Sequence, residues 1–342
     1  MKPFYERVAE LLDQGRAPVI AHLVEVRGSV PQRVGAKLLV HADGRTEFTI
    51  GGGALEERVK TEAMRLSSGS EALLLEYRLS DLGMFCGGAV KVFIEPAEAE
   101  LYRRVRELLG EAERLVLAHV IGPRPAKMAL FEGGLERSSG DFPADLVEAV
   151  REEAQALLSQ GGGGTALREY GTARVFLEVV ESLTRLLIFG AGHVGRKLAQ
   201  LAAATELFQV EVADERPDLL EGVTPFVART HHIDYRGELP LPDHRTFVAI
   251  MTHSHETDRL VLGRLLRHGV SPAYLGMIGS MRKRIELFRR LAQEELPEER
   301  LERVHTPIGL PIGGSEPGEI AVSILAEMIK VKNSLEGQDG GS

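Results

Sequence analysis

Several groups of residues in this chain have the types and spacing that binding or catalytic chemistry requires. Gly190, Gly192 and Gly195 form a G-x-G-x-x-G turn after the apolar run Leu186-Leu187-Ile188-Phe189, and Asp214 closes the following run that begins at Val210. In such a turn the first glycine permits the bend, the second admits a pyrophosphate to the backbone, and the third lets helix pack on strand. A diphosphate then rests on the helix N-terminus beside His193, where unpaired N–H groups favour an anion. A carboxylate about 20 residues on, here Asp214, accepts from a ribose hydroxyl and disfavours a 2′-phosphate.

A second group lies near the start. Gly28 to Lys37 holds two glycines, Ser29, Arg33 and Lys37 within one loop, which suits it to surround an anion with amide, hydroxyl and cationic donors or to serve as a surface turn with solvated charges. Gly51-Gly52-Gly53 stands at a strand-to-helix junction, as bare amides for an anion or as a hinge. Cys86 is the only cysteine, so an intrachain disulfide and a four-thiolate zinc site are both excluded. Flanked by Gly83, Gly87 and Gly88, its sulfur is either open to a ligand or a small core group.

A third group follows in the C-terminal half. Thr252-His253-Ser254-His255-Glu256-Thr257-Asp258 comes after an apolar strand, where side chains line the ligand crevice of a parallel sheet. His253 and His255 are candidates for acid–base work at a carbonyl. As an H-x-H pair they lack a placed third ligand, so no metal site is assigned, and Ser254 or Thr252 is expected to cap the next helix. Gly279 and Ser280 open a cationic segment with Arg282, Lys283, Arg284, Arg289 and Arg290, either a second anion subsite or a solvated face.

The elements that must hold these groups follow from periodicity. Residues 1–181 alternate strands with amphipathic helices, as at Phe4, Val8, Leu11 and Leu12, and read as an α+β domain without an evident internal repeat. Residues 184–332 read as a Rossmann-like α/β domain with a parallel sheet, and 333–342 as a disordered tail. The chain has 342 residues, about two domains by size. A formal charge of −9 argues against general nucleic-acid binding. No signal peptide or long apolar span is evident, so the expectation is a cytoplasmic protein without stable membrane insertion.

Taken in order, Gly28-Ser29-Val30-Pro31 with Gly35-Ala36-Lys37, Ile50 to Glu56, Cys86-Gly87-Gly88, Phe189 to Gly195, Thr252 to Glu256, Gly276 to Ser280 and Pro307-Ile308-Gly309-Leu310 resemble the XdhC/CoxI family. These are accessory factors that mature xanthine dehydrogenase and aerobic carbon monoxide dehydrogenase. The resemblance covers both domains. It implies binding of molybdenum cofactor (molybdopterin), support of its sulfuration beside a cysteine desulfurase, and delivery to the large subunit of a molybdenum hydroxylase, by a maturation factor and homodimer rather than a turnover enzyme. Gln32 and Met281 depart from the family, where arginine is common, and each removes an anion donor. With this resemblance, Cys86 is expected to touch molybdenum or receive sulfur, and the second domain to hold the phosphate or nucleotide end. The alternative is an NAD(P)-dependent oxidoreductase using the Rossmann domain.

Overall fold

The computed structural model describes all residues except 1, 67–70, 112–113, 123–126, 132–133, 140–141, 160–163, 281–283, 286–287, 291–297 and 338–342. The chain divides into two compact units, the first ending at Ser182 and the second beginning at Leu183.

The first unit contains helix α1 (Lys2–Asp13) and strands β1 (Val19–Arg27), β2 (Lys37–Val40) and β3 (Thr46–Thr49), followed by α2 (Gly53–Ala63), β4 (Leu73–Arg78) and β5 (Ala89–Pro96). It continues with α3 (Ala99–Glu111), β6 (Arg114–Ile121), β7 (Lys127–Phe131), β8 (Gly134–Ser139), α4 (Val147–Ser159), β9 (Thr165–Tyr170) and β10 (Ala173–Glu181). The second seven elements reproduce the first seven. One sheet runs β3-β2-β1-β5-β4 and the other β8-β7-β6-β10-β9, each antiparallel, so corresponding strands take corresponding places. The unit is therefore a tandem repeat, contrary to the reading from sequence. Register shows it residue by residue: His22 faces Phe93 as His119 faces Phe176, and Ile20 faces Glu95 as Leu117 faces Glu178.

Alternation along each strand assigns its two faces. Ala21, Leu23, Val92 and Ile94 pack on one side with Leu55 and Val59 of α2, and Val116, Ala118, Leu177 and Val179 pack in the same way with Val150 and Ala154 of α4. The other faces bring residues of both repeats together, with Ile20, Leu115, Leu117 and Val180 in one cluster with α1 and α3. At this seam the inward positions are interrupted by His22, Glu95, His119 and Glu178, all essentially inaccessible. Lys37 pairs with Glu178, which also accepts from the Tyr5 hydroxyl, while Lys127 Nζ lies 3.0 Å from Glu95 Oε2. Each lysine thus crosses to the other repeat's carboxylate. Burial opposes ionisation of Glu178, but Lys37 and His119 outweigh it and hold the carboxyl well below its ordinary range. Burial pushes His22 down to about 4. It acts on His119 in the same direction, yet Glu178 and Glu95 outweigh it and raise that imidazole.

The second unit begins with β11 (Thr184–Phe189), α5 (His193–Ala204), β12 (Phe208–Asp214), α6 (Pro217–Glu221), β13 (Arg229–His232), β14 (Phe247–Ile250) and α7 (His255–Arg267). It ends with β15 (Tyr274–Met277), α8 (Glu298–Glu302) and α9 (Pro317–Gly337). The five strands are parallel in the order β13-β12-β11-β14-β15, the Rossmann-type arrangement expected. Leu186 and Ile188 point into a core with α5 and α9, and Leu187 and Phe189 into a core with α7. Both faces are covered, which is why these strands are uninterrupted apolar runs. Helix α9 continues to Gly337, five residues past the boundary expected at Lys332, so residues 333–337 are helical rather than part of a disordered tail. Residues 338–342 of that tail, with Met281, Arg282 and Lys283, lie outside the described residues.

Candidate functional site

In the first unit the structure brings three of the motif loops to one place. The loop after β1 lines an open depression of about 610 Å³ with Gly28, Ser29, Val30, Pro31, Gln32 and Arg33. The loop before β5 is attached to it: Gly88 N donates to Ser29 O at 3.1 Å, and a Cβ on Gly88 would overlap the carbonyl oxygens of Ser29 and Arg27. The loop before α2 meets it from another side, because a Cβ on Gly51 would overlap the Pro31 ring. Glycine is required at both positions by close approach. Cys86 is half-buried and, like Val30 and Met84, packs against the border of the first sheet's core, while neighbouring Phe85 is fully exposed.

Two expectations about this site are corrected. Lys37 is not an exposed donor of the loop: it is buried, and its ammonium is held by Glu178 and by Gly35 O at 3.0 Å. The Gly51-Gly52-Gly53 turn is not a set of bare amides. Glu56 Oε1 accepts from Ile50 N at 3.0 Å, Gly52 N at 2.9 Å and the Thr49 hydroxyl at 2.6 Å, and Gly51 N donates to Thr49 Oγ1. The anion that this turn binds is the chain's own carboxylate, and the sequence signal was Glu56 within the first turn of α2. Ser29 and Arg33 remain exposed on the depression, and Gly87 is exposed beside Cys86.

In the second unit the Gly190 turn sits at the topological switch point, where β11 lies between β12 and β14. A Cβ on Gly190 would overlap Met251 O, so the turn is pressed against the segment that leads to His253. A Cβ on Gly195 would overlap Gly190 O, the helix–strand approach expected of the third glycine. Gly192 is the N-cap of α5 and offers no side-chain cap, and His193 is exposed on the first turn. Gly279 and Ser280 follow β15, whose neighbour Ile278 donates its N–H to Ile250 O at the end of β14. Ser280 O accepts from Arg284 N at 2.9 Å.

Asp214 is present at the end of β12 and fully buried, but its carboxylate is already engaged. Oδ2 accepts from Ala191 N at 2.7 Å and Arg216 Nη2 at 2.8 Å, and Oδ1 from Arg216 N at 2.9 Å and Nε at 2.8 Å. Burial raises its pKa, and these donors more than reverse that, leaving it below the usual carboxylate range. A ribose hydroxyl finds no acceptor position there, which corrects the role expected of Asp214. The neighbour that decides this, Arg216, stands two residues away in the chain and belongs to no motif.

The two histidines occupy the rim and do not converge. His253 Nδ1 is 3.3 Å from Glu215 Oε1, whereas His255 is exposed and 4.0 Å from Asp258 Oδ2. Asp258 is turned inward and accepts from Thr252 N and Oγ1 at 2.8 and 2.7 Å. Its burial outweighs these bonds and raises its pKa. Ser254 caps α7, accepting from Thr257 N at 3.1 Å. Among the described residues, the one cluster of three histidine or acidic side chains with metal-ligand spacing is His22, Glu95 and His119 at the seam of the first unit.

Comparison with known proteins agrees with this architecture. Residues 11–78 match the model described as the XdhC and CoxI family, and residues 186–328 match the XdhC Rossmann domain. An uncharacterized protein of Escherichia coli (strain K12), YqeB, is 28% identical over 97% of this chain, which spans only 47% of that relative's length. A probable xanthine dehydrogenase subunit of Bacillus subtilis (strain 168) is 26% identical, with 98% of this chain and 99% of the relative covered. Molybdenum cofactor insertion chaperone PaoD of E. coli (strain K12) is 22% identical over 94% of this chain and 86% of its own. A crystal structure from Bacillus halodurans, described as a xanthine dehydrogenase, superposes with a TM-score of 0.75 at 25% identity over 96% of both chains. The two family models together cover more than half of the sequence, on both sides of the boundary at Ser182, and the chain belongs to the XdhC and CoxI family.

Proposed function

We propose that this chain is a maturation factor for a molybdenum hydroxylase of the xanthine dehydrogenase kind. It takes molybdenum cofactor as cargo, supports its sulfuration beside a cysteine desulfurase, and delivers it to the hydroxylase large subunit, acting as a cytoplasmic homodimer. The observation that carries this reading is the joining of the Gly51–Gly53 and Gly87–Gly88 loops to the Ser29–Arg33 loop, with a half-buried lone thiol next in the chain to Gly87. A pterin with a phosphate and a dithiolene-bound metal needs cationic and hydroxyl donors beside a soft ligand, and Arg33, Ser29 and Cys86 are of those kinds. The name of the relative PaoD, a cofactor insertion chaperone, supports the same assignment.

Cys86 contacts molybdenum or takes up the incoming sulfur in this proposal. In the second unit, Gly190, Gly192, His193, Gly195, Gly279 and Ser280 form the subsite for a phosphate or nucleotide end, with His253 and His255 at its rim. The rival, an NAD(P)-dependent oxidoreductase, is disfavoured because Arg216 and Ala191 occupy the Asp214 carboxylate. No described helix is long and apolar enough to cross a membrane.

The test is purification from cells with an intact molybdenum pathway, with assay of bound molybdenum and pterin. Cofactor should copurify with the natural chain, and retention or sulfuration should fall at least tenfold in Cys86→Ser. A cofactor-free natural protein would refute the proposal, and a fully active Cys86→Ser would remove the thiol from it.

A further inference from the structure

The seam between the two repeats of the first unit contains donors that the proposed function does not use. His22 and His119 are equivalent residues of the repeats, their ring centroids 4.9 Å apart and each at most 1% exposed. None of their four ring nitrogens makes a hydrogen bond of acceptable geometry, and neither oxygen of Glu95 does. A buried polar group left in that condition is destabilising, and here four imidazole nitrogens and two carboxylate oxygens are left so at one place.

The spacing shows what would satisfy them. His22 Nε2 is 3.2 Å from Glu95 Oε1 and His119 Nδ1 is 3.5 Å from that same oxygen, with one donor atom from each residue within 4.8 Å of the others. Tetrahedral bonds of about 2.0–2.1 Å place neighbouring ligand atoms roughly 3.3–3.4 Å apart. Two edges of that figure are already in place.

The outer groups are also of the kind that metal-bound residues need. The second nitrogen of His119, Nε2, is 3.4 Å from Glu178 Oε1, close enough that a small turn of the ring would complete the carboxylate–histidine bond that fixes a ligand's tautomer. Glu178 is in turn anchored by Lys37 and Tyr5. On Glu95 the two oxygens are divided: Oε1 is on the imidazole side, and Oε2 is 3.0 Å from the Lys127 ammonium. The lysine therefore holds the carboxylate without occupying the oxygen shared by the histidines.

We propose that His22 Nε2, His119 Nδ1 and Glu95 Oε1 hold one divalent transition-metal ion, zinc by its two-imidazole, one-carboxylate donor set, between the repeats of the first unit. The ion ties the two sheets through β1, β5 and β6. Three protein ligands leave the fourth tetrahedral position to a water, and none of the three belongs to the cargo site of the loops.

The test uses the untagged full-length chain, purified without chelator and analysed for metal. One zinc per chain is expected. Replacement by cobalt should give the visible bands of a low-symmetry nitrogen–oxygen site, and these should vanish in His22→Gln and Glu95→Gln but persist in Cys86→Ser. Should those variants fail to fold, X-ray absorption at the zinc edge of the natural protein decides: imidazole and oxygen scatterers support the assignment, and a sulfur neighbour overturns it by placing the ion at Cys86. A chain that remains free of zinc and cobalt after dialysis against either ion also overturns it. None of these readings depends on molybdenum cofactor, so they stand apart from the test of the proposed function.

Discussion

Three carboxylates, at positions 56, 178 and 214, show that a charge inside this protein is used first by the protein itself. Asp214 joins the Gly190 turn to β12, and removing it leaves Ala191 N–H and the Arg216 guanidinium without their acceptor. Asp214→Ala should therefore lower stability by about 1–3 kcal/mol, read as a displaced denaturation midpoint. Because the folded-state pKa of Asp214 lies below the ordinary value, its contribution is complete above that value and is lost as pH falls through the folded one. The stability difference between natural protein and Arg216→Ala should accordingly be constant at neutral pH and shrink in acid. A difference that grows toward low pH would contradict the assignment. At the seam, Glu178→Ala leaves the buried Lys37 ammonium without its carboxylate, for which a loss of roughly 3–5 kcal/mol is expected.

At the scale of elements, loops rather than helices bring the candidate site together. Gly88 is the fastening point, since its N–H and its lack of a side chain let the Cys86 loop lie against Ser29. Gly88→Ala should push the two loops apart, at a cost of about 1–3 kcal/mol, and raise the rate at which an aqueous thiol reagent modifies Cys86. An unchanged rate would mean that the thiol's shielding comes from elsewhere in the loop. Glu56→Gln keeps the shape of the α2 start but weakens the charge-assisted bonds to Ile50 and Gly52. Amide exchange at those two residues should quicken by an order of magnitude or so.

For the whole molecule, the division at Ser182 predicts separable unfolding. A calorimetric scan should resolve two transitions, with Glu178→Ala moving only one of them and Asp214→Ala only the other. A single transition moved equally by both substitutions would mean that the units unfold as one. The tandem repeat adds an asymmetry: the loop motifs with Cys86 belong to the first repeat, while the seam uses equivalent residues from both.

The sequence by itself determined the Rossmann-type unit, because its buried parallel strands are continuous apolar runs and its glycine spacing reflects a local turn. It also determined which loops carry polar chemistry, since Gly28, Gly51 and Gly88 announce unusual backbone at short range. It did not disclose the repeat, because the two halves share strand register and a few inward residues rather than a readable motif. His22, Glu95, His119 and Glu178 were visible only as interruptions of four apolar strands, separated by up to 156 positions in the chain. Only the packing of the two sheets decided that they meet, that Lys37 points inward, and that Arg216 covers Asp214: those are distances across space, set by how faces pair, and no spacing along the chain encodes them.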